Sequence, residues 1–349
     1  MFGNSPANTS YLIENDWVQL AGGFAEWPAA PESASKVKVA LFGETTFDDL
    51  NRDAYDDAVV FVTYNGGGSG TFYYIAAAFQ ENGEYTGTNG ILLGDRIFEP
   101  SATVLNGLIT VEYLDRNHNE PMAVVPSVKQ TRYFILDNSR LREIKPAANN
   151  TIYQGWLTIG HEVRTFLPCE TKDDLWLMGN SPAMGTIKTS HTQMMAGFPP
   201  YTPVFTILSG RKTDTPAEGF GADYRGAFSA SQYVHAWSTG NCKSDLIMLY
   251  TPLPGTIISS PLTISGRARG TWFFEGDFPI ILEDGQGNNI AVSYATAKGE
   301  WMTSDFVEFE GVLEFNNSYS GQRGNLILKK DNPTGKAQFD NGLKIPVNF

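Results

Sequence analysis

The chain has 349 residues, 42% of them hydrophobic and 13% aromatic, which excludes an intrinsically disordered protein and exceeds one ordinary sandwich, so two or three domains are expected. A formal charge of −13 with no clustered Lys/Arg stripe offers phosphate no electrostatic handle, so neither nucleic acid nor an anionic lipid surface is expected as a partner. The longest apolar block, 72–79, has the length of one strand, and no run reaches membrane-spanning length.

The opening Met1-Phe2-Gly3-Asn4-Ser5-Pro6 has neither a basic start nor an apolar stretch. It reads as a cytosolic start, or as a mature form with an added methionine; the second is preferred, with a precursor that carried a secretory or lipoprotein signal. Strands are predicted at 37–42, with Val37, Val39 and Leu41 on one face, and at 58–64, 71–79, 108–113 and 131–136. Helix signals are weak throughout.

Between the first two strands, Asp49, Asn51, Asp53 and Asp57 fall at positions one, three, five and nine of a calcium loop, with the Tyr55 carbonyl at seven. Calcium is the one cofactor this pattern suggests. Ala54 stands where the loop needs glycine, and Val60 where it needs a bidentate glutamate; the alternative is a solvated acidic turn ahead of a buried strand. The segment resembles the DLNGDG-type repeats of exported calcium-binding proteins, with Arg52 and Ala54 replacing both glycines. The loop Asn65-Gly66-Gly67-Gly68-Ser69-Gly70 lacks the Lys-Ser/Thr and helix of a phosphate-binding loop and reads as a hairpin connection. With FGETTFDDLNRDAYDDAVVFVT, GGGSGTFYYIAAAF and TNGILLGDRI, the stretch 43–136 resembles an exported or lipoprotein domain widespread in bacteria.

The run 145–150, KPAANN, and the run 251–255, TPLPG, break strand patterning and divide the chain into domains at 1–146, 150–250 and 256–349. The middle domain, with GWLTIGHEVRTFLPCE, DLWLMG and GFGADYRGAFSAS, is similar to small β-barrel modules of envelope lipoproteins, including the NlpE type. It holds both cysteines, Cys169 and Cys242, which read as a disulfide if the protein is exported, or as two buried thiols if it is cytosolic.

In the C-terminal domain, Val307, Phe309, Gly311, Leu313 and Phe315 alternate with Glu308, Glu310 and Glu314, as a half-buried strand requires. Ile264, Gly266 and Ala268 alternate likewise, and 278–282, 290–294 and 326–329 add short strands with turns such as Asp284-Gly285, which fits a sandwich. Trp272, Phe273, Phe274 and Trp301 read as core or rim packing, or as an exposed platform for a glycan or peptide. The motifs SPLTISGRARG, WFFEGDFPIILEDGQG and GEWMTSDFVEF resemble the immunoglobulin-like domain found in bacterial spore germination proteins and other exported bacterial proteins.

The expected fold is therefore mostly β and multi-domain: a β-rich, or α+β, N-terminal domain, a barrel-like middle and an immunoglobulin-like sandwich. None of His118, His161, His191 and His235 sits in a catalytic motif, so no catalytic residue is assigned. The resemblances imply an exported, non-enzymatic envelope protein in the periplasm or at the cell surface. Its partner would be an envelope protein or a cell-wall polymer, and an N-terminal lipid anchor could be present in the precursor. The alternatives are a glycan-active enzyme with an accessory sandwich, and a structural spacer.

Overall fold

The computed structural model describes residues 4–53, 55–319 and 321–349, which places Ala54 and Met1 to Gly3 outside the described residues. The protein is mostly β, with one α-helix among the described residues, and it divides into two compact units between Lys145 and Pro146. Among the described residues no helix is long and apolar enough to cross a membrane.

The first unit holds β1 (Ser10–Ile13), β2 (Asp16–Gln19), β3 (Phe24–Pro28), β4 (Lys36–Asp48), β5 (Asp57–Asn65), β6 (Phe72–Glu81), β7 (Glu84–Gly87), β8 (Ile91–Asp95), β9 (Phe98–Leu105), β10 (Leu108–Asp115), β11 (Val128–Asp137) and β12 (Arg140–Ile144). β3 to β7 form one antiparallel sheet in sequence order, with β8 also on β6; β9 to β12 form a second, and β1–β2 a hairpin. β5 and β6 read as unbroken apolar runs because both of their faces are covered. Val59, Phe61, Ile75 and Ala77 pack against Ile109, Val111 and Phe134 of the second sheet, while Ala58, Val60, Val62, Ala76 and Ala78 pack against Tyr11, Ile13 and Val18 of the hairpin. The glycine loop is a hairpin connection from β5 to β6: Asn65 accepts from the Gly67 N–H at 2.9 Å and donates to the Gly70 carbonyl at 2.7 Å.

The second unit begins with a closed barrel of β13 (Thr151–Ile159), β14 (Arg164–Pro168), β15 (Leu175–Gly179), β16 (Val204–Thr213) and β17 (Ala227–Trp237), ordered β13-β14-β15-β17-β16. β15 and β17 pair in parallel, so the chain must cross over between them, and α1 (Ser181–Met194) lies on that crossover. This five-stranded Greek-key order is that of an OB-type barrel, a fold that by itself names no ligand. The helix is an element that the sequence pattern did not announce. Gly185, Thr186, Thr189 and Ser190 are poor helix formers, but Asn180 caps the first turn by accepting from the Ala183 N–H at 2.9 Å. Ala183, Met184, Ile187 and His191 are then buried, and it is this packing that holds the helix.

The sandwich comprises β18 (Ile247–Thr251), β19 (Leu262–Arg269), β20 (Asp277–Asp284), β21 (Asn289–Ala297), β22 (Phe306–Leu313), β23 (Arg323–Lys329) and β24 (Gly342–Asn348), connected in the order β18-β19-β22-β21-β20-β23-β24. Alternate residues of every strand enter one core, among them Ile264, Phe278, Phe309, Leu326 and Ile345. Trp272 and Phe273 are buried in that core and Trp301 packs against it, while Phe274 stays 40% exposed. The boundary drawn at 250 and 256 needs correction on two counts. β18 pairs with β19 rather than with the barrel, and residues 255–258 run along β24: the Gly255 N–H donates to the Pro346 carbonyl at 2.7 Å and the Ile258 N–H to the Asn348 carbonyl at 2.8 Å. The prolines of TPLPG mark a change of direction, and the segment after them covers an edge strand.

Candidate binding cleft and acidic loop

The pleat of two strands in the barrel and two in the sandwich places their outward side chains around a cavity of about 570 Å³ within the second unit. Leu157 and Phe166 point into the barrel core, so their neighbours Trp156, Thr158, Thr165 and Leu167 point out, paired across β13–β14 as Trp156 with Leu167 and Thr158 with Thr165. In the sandwich Leu326, Leu328, Leu343, Ile345 and Val347 point in, which turns Arg323, Asn325, Lys344 and Pro346 outward onto the opposite wall.

Three aromatic rings line this cleft. Trp156 is steadied edge-on by Phe205, with ring centroids 5.3 Å apart, and Tyr224 leans on Trp176 at 5.4 Å. Tyr201 occupies left-handed backbone at φ 63°, costly for a bulky side chain, and its ring fills the place a side chain at Gly160 would take. His191 of α1 hydrogen-bonds the backbone of the next residue, Thr202, while burial holds its imidazole below the usual histidine range.

The cleft gathers three cations in a chain that is acidic overall. Arg323 lies over the Tyr201 ring, 5.7 Å from its centroid, and donates to the Pro200 carbonyl at 2.9 Å. Lys243 donates to the Asn341 side chain, and Lys344 pairs with Glu283 at 3.2 Å. Among the described residues Arg323 and Lys243 form no ion pair. Asp174, an exposed residue, is the one acidic residue among the described residues of the lining; partial desolvation, and secondly the neighbouring Asp173, push its carboxyl up.

Cys169 and Cys242 form a disulfide across a sequence separation of 73, tying the end of β14 to the segment that leads into β18, and both line the cleft. A second cavity of about 510 Å³ shares Asp174, Pro203, Arg323, Asn325 and Pro346 with the first, so the cleft continues past Arg323.

The acidic loop lies in the first unit. Asp49 and Asp57 are buried, and Tyr55 is exposed. Asp57 accepts from the Leu50 and Gln80 N–H groups, each at 2.9 Å, and so ties the loop to β6. Asp49 and Asn51 both accept from the Asp53 N–H at 3.1 Å, and Asp53 accepts from the Tyr55 N–H at 2.9 Å. Burial pushes the Asp57 carboxyl up to about 7 against the pull of those two hydrogen bonds, and the charges of Asp53 and Asp49 add to the rise. Among the described residues no group of three His, Cys, Asp or Glu side chains is disposed to hold a metal ion.

Sequence reasoning found the cysteine pair and missed the cleft, whose walls come from strands more than a hundred residues apart. Residues 246–336 match the family model of the immunoglobulin-like domain of bacterial spore germination, which places that module over β18 to β23. No curated protein and no solved structure matches the chain. The family's germination setting and the intramolecular disulfide accord with an exported protein.

Proposed function

We propose that the protein is an exported, non-catalytic component of the bacterial cell envelope, held at the periplasmic or outer surface by a lipid anchor on its precursor, whose β modules bind an envelope protein or a cell-wall polymer. The cleft of the second unit is the binding surface. One observation carries this reading: Arg323 and Lys243 line a cavity without an ion-pair partner among the described residues, in a chain of net charge −13. Calcium at Asp49, Asn51, Asp53, Tyr55 and Asp57 belongs to the same reading on the strength of donor spacing. Cosedimentation of the full chain with isolated envelope particles tests it. The chain is expected to pellet with them, and Arg323→Ala to pellet markedly less; failure to pellet, or equal pelleting of the two, overturns the reading.

A glycan-cleaving enzyme is the second reading, favoured by the raised carboxyl of Asp174 in the cleft. It needs a second carboxylate facing the first across the scissile bond, and among the described residues lining the cleft Asp174 has no such partner. Release of reducing ends from wall polysaccharide, abolished in Asp174→Asn, would establish it in place of simple binding.

A further inference from the structure

We infer that the cleft takes an acidic polysaccharide, with sugar rings against Trp156 and Tyr224 and isolated carboxylate or phosphate groups at Arg323, which Tyr201 backs, and at Lys243; this rests on the cleft being the binding surface. Flat aromatic faces with a polar rim suit the apolar face of a pyranose ring, while a small inorganic anion has no use for them. The guanidinium of Arg323 is stacked on Tyr201 and held by the Pro200 carbonyl, so a planar donor fork is oriented in advance for a carboxylate or phosphate. Backbone strain at Tyr201, kept up by Gly160 beneath the ring, is the kind of cost that persists at a ligand clamp.

Shape and charge narrow the class. The two cavities, about 570 and 510 Å³, share residues on both sides of Arg323, which makes room for several linked rings rather than one. The net charge of −13 repels a densely charged chain at long range, so the ligand carries sparse anions that the few local cations can match.

Titration calorimetry of the full chain with four defined polymers tests the inference: largely methyl-esterified polygalacturonate, sparsely phosphorylated dextran, neutral dextran and polyglutamate. Binding of either charged glycan, falling as salt rises, with neutral dextran and polyglutamate at least about tenfold weaker, is the expected result. Comparison of the two charged glycans identifies which anion is read. Arg323→Ala and Tyr224→Ala, both on partly or fully exposed side chains, should each weaken binding by about tenfold without altering the melting midpoint. Equal affinity for neutral dextran removes the anion from the assignment and overturns it, and equal affinity for polyglutamate points to an acidic protein partner. Envelope binding that survives digestion of polysaccharide but is lost on protease treatment also overturns the inference, while leaving the cleft as a binding surface.

Discussion

Tyr201 and Arg323 meet across the cleft, one from the segment after α1 and the other from β23, with the guanidinium carbon 5.7 Å from the ring centroid. Tyr201 can stand there only because residue 160 is glycine: a Cβ at that position would lie 1.7 Å from the Tyr201 ring. Gly160→Ala is therefore expected to expel the ring and to destabilise the protein by about 1–3 kcal/mol in a denaturant melt, the usual cost of overpacking. An unchanged midpoint would show that Tyr201 is not seated as described.

The disulfide gives a test with an internal control, because the first unit contains no cysteine. Opening the Cys169–Cys242 link with reductant, or replacing both residues with serine, should lower the stability of the second unit by about 4 kcal/mol on the chain-entropy account. Melting followed separately for the two units should show the loss in the second alone. Equal losses in both would contradict the division between Lys145 and Pro146.

Asp57 gives the first unit a pH dependence of defined sign. Its folded carboxyl titrates at about 7, well above its ordinary value of 3.8, so between these pH values the folded state keeps a proton that the unfolded chain has released. Stability contributed by this group is therefore greatest near pH 4 and falls as pH rises towards 7, by about 4 kcal/mol at most. Asp57→Asn has no proton to lose, so the stability difference between variant and wild type should shift across that window. A constant difference from pH 4 to pH 8 would remove the perturbed titration.

Calcium bound as proposed would compete with that proton for the same carboxyl. Excess calcium is expected to raise the melting midpoint of the first unit at pH 8, relative to chelator, and to have little effect at pH 5, where Asp57 is protonated. A midpoint unmoved by calcium at pH 8 would reduce the loop to an acidic turn braced by its own backbone.

Much of the fold was legible because pattern and burial coincide. The alternation along β22 announced one buried face, and the apolar run 58–64 announced the strand β5, whose two covered faces came only with the structure. α1 was hidden because its residues have little intrinsic helical preference and are held by the barrel they cover. The two aromatic readings at Trp272 and Phe273 were resolved by packing alone, since sequence does not say to which face of a bend a ring turns. The cleft was invisible for a related reason: Trp156, Tyr201 and Arg323 are ordinary residues in ordinary segments until barrel closure and sandwich register bring their outward faces together. Cysteine is different. With only two in the chain there was one pairing to consider, and it formed.

The segment after TPLPG has a practical consequence. Because residues 255–258 lie along β24 and β18 is the outermost strand beside β19, a fragment begun at 256 would lose one whole strand and bare the amides of another. Such a piece would present an open ladder to its neighbours in solution and recruit them into stacked assemblies. Anyone excising the C-terminal module should cut upstream of Ile247, so that β18 stays paired on β19.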